Sequence, residues 1–93
     1  MSGRVLSTDV LSGAAVPLTE LGGAEVGLWE MAPGTDHDTE VDEVFVVLAG
    51  RGTVTFEDGE TIDLLPGVAV RLRAGERTTW VVTETLRKVY VAV

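Results

Sequence analysis

Apolar and polar residues alternate with a period of two along most of the chain, and Gly, Pro and Asp turns interrupt the alternation before any helical stripe develops. "AEVGLWEM" sets Val26 and Leu28 on one face against Gly27, Trp29 and Met31 on the other, and "APG" ends it. "EVFVVLA" follows, and Arg51 with its flanking glycines turns the chain into "TVTF". Asp58-Gly59 in "EDGE" is a hairpin signal, because both residues tolerate a positive φ. "TIDLL" returns, "LPG" turns again, and "VAVRLR" directs Val68, Val70 and Leu72 inward against Ala69, Arg71 and Arg73. After "AGE" come "TTWVV" and, past the polar "TET", "LRKVYVAV". With a strand over residues 14–18, the pattern predicts about eight short strands in an all-β sandwich or barrel.

Two of these strands are apolar on both faces. Val44, Val46 and Leu48 alternate with Phe45, Val47 and Ala49, and "VYVAV" behaves alike. One face of a small antiparallel sheet ordinarily meets water, so such strands call for a second covering layer. A homodimer is the simplest supplier, and N-terminal residues capping the outer face are the alternative.

Length and charge narrow the picture. Ninety-three residues predict one domain, 1–93, since a second core would bury too little apolar surface. A net charge of -8 excludes nucleic acid and anionic membrane as partners, because both attract clustered Lys and Arg. Cysteine is absent, which removes disulfides, thiolate metal centres and thiol nucleophiles. The longest apolar run, "VFVVLA", is too short for a bilayer, and "MSGRVLSTDV" has no sustained apolar region of the kind a secretory signal needs. The expected location is the cytoplasm.

Several of these segments resemble the cupin superfamily. "DEVFVVLAG" looks like the first cupin motif, with six residues between Glu43 and Gly50, and "PGVAVRLRAG" looks like the start of the second, with Gly67 and Gly75 in register. "GLWEMAPG", "TTWVV" and "LRKVYV" are similar to the small cupins grouped with ureidoglycine aminohydrolase and the ethanolamine-utilisation cupins. The resemblance covers residues 24–93 and implies an all-β, single-domain cupin, a jelly-roll barrel or double-stranded β-helix of antiparallel strands.

It also implies a metal held by two histidines and a glutamate from the first motif and a histidine from the second. Here the sequence departs. With a four-residue gap before Glu43, the histidine positions fall on Asp36 and Asp38; with a three-residue gap they fall on His37 and Thr39. In the second motif Arg73 stands at the proline position, Thr78 at the histidine and Val82 at the asparagine. An unbroken strand puts His37, Thr39 and Glu43 on one face, whereas a bulge puts Asp36 and Asp38 with Glu43. Neither set offers four good ligands. No conventional metal site is therefore expected; an ion, if held, rests on His37, Asp38 and Glu43 as weakly bound Mn²⁺ or Mg²⁺, not Zn²⁺ or Cu²⁺.

By the motif, Glu43 points into the barrel, where a carboxylate needs a partner because burying an unpaired charge costs several kcal/mol, on the order of 3–5. Arg71, Arg73 and Arg77 are the candidates: either they are solvated charges, as alternation suggests for Arg71 and Arg73 on the outer face, or Arg73 or Arg77 reaches the barrel mouth to pair with the acidic segment or grip a carboxylate ligand. Asp36, Asp38, Glu40 and Asp42 read as a solvated, mutually repelling run. The ligand-binding set is then Glu43, Arg73, Arg77, Trp29, Thr78 and Tyr90, with Trp29, Trp80, Met31 and Tyr90 as pocket walls or core. One histidine and no cysteine leave no activated nucleophile. Three functions remain. The barrel binds a small polar or anionic metabolite without a metal or other cofactor; it is a metal-dependent, aminohydrolase-like enzyme acting on a small amide or carboxylate; or it is a dimeric interaction module. The lost ligands favour the first over the second.

Overall fold

The alternating segments form strands throughout the computed structural model, which describes residues 14–93. They are β1 (Ala14–Leu21), β2 (Ala24–Met31), β3 (Gly34–Thr39), β4 (Glu43–Phe56), β5 (Thr61–Leu64), β6 (Ala69–Leu72) and β7 (Arg77–Ala92), all paired antiparallel. No helix long and apolar enough to cross a membrane occurs among the described residues. The architecture is all-β and antiparallel, as expected from the sequence.

Seven strands among the described residues stand against about eight expected, and their bounds differ. "EVFVVLA" and "TVTF" are one strand, and so are "TTWVV" and "LRKVYVAV". The glycines around Arg51 make bulges where a turn was expected: the β4–β7 register shifts between Val47 and Ala49, Ala49 and Arg51, and Arg51 and Gly52. A bulge bends a strand without ending its pairing, and glycine is a signal common to both devices. Gly50 sits at φ +94°, and a Cβ there would overlap the Thr85 carbonyl oxygen across the ladder. The acidic segment supplies the strand that no apolar pattern announced, β3, exposed from end to end.

Because β4 and β7 bend, each serves two half-sheets. Their first meeting, Glu43 to Val47 against Lys88 to Ala92, is flanked by β2 and β1 on one side and β6 on the other. Their second, Gly52 to Phe56 against Thr78 to Val82, is flanked by β3 and β5. The halves close on one core in which Phe45, Val47, Leu72 and Leu86 from the first pack with Val54, Leu64, Trp80 and Val82 from the second. Each such side chain contributes about 1.5–3 kcal/mol through burial.

The doubly apolar strands leave Val44 (45% exposed), Leu48 and Val91 on the outer face of the first half, with Val44 and Val91 directly paired. The N-terminal cap considered as a cover falls on residues that lie outside the described part of the chain.

Gly50→Ala is expected to cost more than about 2 kcal/mol, since it combines a left-handed φ with a backbone collision. Gly59→Ala, at φ +93° with open space around it, is expected to cost only about 1–2 kcal/mol. Urea midpoints of the two variants compare them directly, and equal shifts would mean that the strand does not need its bulge.

Candidate functional site

The register of β3 decides which residues look inward. Asp36 pairs with Trp80, His37 with Thr79 and Asp38 with Thr78. Trp80 and Thr78 are buried, so Asp36 and Asp38 lie on the inner face, and both line an interior cavity of about 310 Å³. His37 faces outward. Its Nδ1 lies 3.0 Å from Thr79 Oγ1, in a more open groove on the outside of the second half. Residues 40–42 leave the strand, which resets the alternation and lets Glu43 face inward as well. The arrangement with Asp36, Asp38 and Glu43 together is therefore the one adopted, and His37 does not join Glu43.

Glu43 has a partner, though not an arginine. Lys88 Nζ donates to Glu43 Oε2 at 2.8 Å, with side chains 6% and 11% exposed. The ammonium also lies over three aromatic rings, 4.2 Å from the centroid of Phe45, 4.7 Å from Trp80 and 4.8 Å from Trp29. Ring faces carry negative potential, so carboxylate and cage both attract the ammonium. Lys88 reaches this place because Leu86, Lys88 and Tyr90 occupy successive inward positions of β7, with Trp29 as its cross-strand neighbour on β2.

The remaining acids of the cavity also have donors. Glu40, expected to be solvated, is 7% exposed: Thr78 Oγ1 and Trp80 Nε1 both donate to its Oε2, while its main chain bonds Gly75 and Glu76. Tyr90 OH donates to Glu25 Oε2 at 2.8 Å. The phenol ring lies against Gly27, its register partner, where any Cβ would strike it. Burial first, then acceptance by Glu25 and the negative charge of Glu25 and Glu43, push the Tyr90 hydroxyl up to about 12. Asp36 and Asp38 each accept from the amide of the following residue, at 2.9 and 2.8 Å.

The arginines stay outside. Arg73 sits exposed at a turn, where its main-chain amide donates to Glu76, and Arg77 pairs with Glu57 at 3.4 Å in the outer groove. Neither lines the cavity, so neither can grip a ligand held there. The arginine that meets the acidic segment is Arg71, 3.2 Å from Asp42. The Ala74 amide and then this guanidinium hold the Asp42 carboxyl below the usual carboxylate range. Thr78, expected on the ligand, is instead buried against Glu40, whereas Trp29 and Tyr90 do line the cavity.

These residues do not fit the metal that the resemblance implies. The glutamate position is bonded to an ammonium and the second-motif histidine position is a hydroxyl donating to Glu40. Among the described residues, no group of three or more histidine, aspartate or glutamate side chains is placed to hold an ion. What the cavity does offer is five carboxylates, from Glu25, Asp36, Asp38, Glu40 and Glu43, against one ammonium, with two indoles and a phenol in its walls.

Comparison with known proteins agrees with this geometry at the level of the family. The sequence profile of the EutQ-like cupin domain matches residues 18–90. The chain belongs to that family. Among solved structures, this cupin is similar to a protein of unknown function from Rhizobium leguminosarum, with 34% identity and a TM-score of 0.78 over 85% of this chain and 78% of that one. It is also similar to an ethanolamine utilization protein Q from Salmonella typhimurium, with 26% identity and a TM-score of 0.66 over 74% of this chain and 56% of that one. Vicilin GC72-A from Gossypium hirsutum is 34% identical over 73% of the cupin, which spans only 12% of the vicilin's length. The ethanolamine-utilisation side of the resemblance is thus the one the family carries.

Lys88, Glu25 and Glu40 are the cavity residues that sequence reasoning passed over. Lys88 and Glu25 had a readable signal: each shares the parity of inward neighbours, Tyr90 in one case and Trp29 in the other. Glu40 had none, because its burial comes from the return of the chain at residues 73–76.

Tyr90 is the chain's one tyrosine, so absorbance of the ionised phenol reports it alone. The folded value lies above the unfolded value of about 10; its contribution to stability is therefore complete below about pH 10 and fades as pH rises through about 12. The absorbance is expected to stay flat past pH 10 and to rise earlier in Glu25→Gln. A wild-type midpoint at the ordinary phenol value would place Tyr90 in open water.

Proposed function

We propose that this cupin is a metal-free binding module whose cavity takes a small polar molecule bearing an ammonium group or several hydroxyl donors. The observation that carries the reading is the lining itself, five acceptor carboxylates and aromatic faces around a single ammonium. Carboxylates and ring faces attract cations and hydroxyl groups, and they repel anions. An anionic metabolite, the other half of the expectation from sequence, would need Arg73 or Arg77 in the cavity, and both lie elsewhere. About 310 Å³ suits a ligand at the small end of the usual range for such sites. Aminohydrolase-like chemistry, the enzymatic alternative, would need an activated water, and among the described residues no cluster of ligating side chains is placed to hold the ion that would activate it.

Both tryptophans line the cavity, so intrinsic fluorescence reads occupancy. Titration with ethanolamine, the compound in the Salmonella relative's name, with glycerol and with acetate is expected to give saturable changes for the first two and none for acetate. Asp38→Asn is expected to weaken the ethanolamine response several-fold, roughly 3- to 10-fold for one lost exposed charge. A saturable acetate response alone would reverse the reading.

We infer further that the module is a homodimer joined through the outer face of the first half-sheet, because Val44 and its cross-strand partner Val91 are exposed there, with Leu48 exposed further along β4. Light scattering over a dilution series is expected to give twice the monomer mass, falling to the monomer in Val44→Glu. A wild-type monomer at every concentration would leave that face without this role.

A further inference from the structure

The lysine cage has a meaning beyond pairing one carboxylate. The resemblance to cupins implies a cation held through the first-motif glutamate, and in this chain that glutamate, Glu43, holds the ammonium of Lys88. The surroundings of the ammonium are those of a recognition site for an organic cation: one carboxylate oxygen at 2.8 Å and three ring faces within 4.8 Å, supplied by residues from β2, β4 and β7. Structural pairing alone does not need such a cage. Arg71–Asp42 and Arg51–Glu84 satisfy their charges at the surface without any ring.

We propose that the barrel of this cupin contains a preformed alkylammonium site which the chain fills with its own Lys88, and that this tethered amine stands in place of the metal ion. The site lies deeper than the acids at the cavity's exposed edge, Asp36 and Asp38, so it exists whether or not a second ligand binds there. Its chemistry is specific. Neutral alcohols lack the charge that Glu43 and the rings select, and a hydrated divalent ion needs oxygen donors that the three ring faces do not provide.

Truncating the lysine tests the idea by leaving the cage empty and Glu43 unpaired. Lys88→Ala removes the atoms of n-propylammonium beyond Cβ, so that cation is the probe, with 1-propanol as its neutral counterpart and MgCl₂ and MnCl₂ as the divalent ions. The variant is expected to lose thermal stability and to regain part of it with n-propylammonium. The cation should act at concentrations roughly tenfold lower than 1-propanol, and should stabilise the variant more than wild type, whose cage Lys88 already fills. Glu43→Gln added to Lys88→Ala should abolish the preference for the cation.

Should Lys88→Ala fail to fold in buffer, refolding it with n-propylammonium decides the matter: recovery of the native circular-dichroism spectrum supports the proposal, and no recovery overturns it. Equal rescue by 1-propanol would reduce Lys88 to filler and overturn it. So would a wild type stabilised by Mn²⁺ in a Glu43-dependent manner, since the ion's place would then be free. These outcomes are separate from the ligand titrations of the wild-type cavity, and either idea can fail alone.

Discussion

The pairing of β4 with β7 is the constraint on which everything else hangs. Hydrogen bonds between them run from Glu43 opposite Ala92 to Phe56 opposite Thr78, and every other strand except β1 attaches to one of the two. A ladder of that length closes over a core only if both members bend. The bulges around Gly50 and Gly52 provide the bend, at positions where any side chain would run into the Thr85 or Val81 carbonyl oxygen. The bend then brings Phe45 of one half-sheet within 5.5 Å of Trp80 of the other, and so builds the wall against which Lys88 lies.

Charge is arranged around that wall by the same geometry. Placing five carboxylates in one small cavity would be costly if they were left to repel one another without donors. Each of them accepts a hydrogen bond: from Lys88, Thr78 with Trp80, Tyr90, or the neighbouring main chain. Glu40 and Glu43 thus stay inside at tolerable cost, while Asp36 and Asp38 remain exposed at the cavity's edge.

How far all this was legible depended on how local each signal was. Strand identity came from alternation; strand bounds did not follow from it, because a glycine pair reads alike as a turn and as a bulge. Glu43 was found through a spacing motif. Its partner was sought among the arginines of the strand beside it, yet "RKVYV" held the answer: an inward lysine between Leu86 and Tyr90 has to meet an acid. His37 drew attention by being unique, but its orientation depended on the break at residues 40–42, which rests on main-chain bonds to Glu76 and Gly75 far along the chain. Polar residues of β3 gave no periodic apolar cue, so their register was set by β7 alone.

A counter-ion covalently attached to the chain is not subject to mass action. The fraction of molecules in which Glu43 is neutralised does not depend on the supply of any solute, only on folding itself, and the cavity is complete as soon as β7 has docked. Dilution or competing scavengers, which empty a site filled from solution, leave this one as it was. The cost is adjustability: an ion can be exchanged for another of different charge or size, whereas Lys88 changes only by mutation.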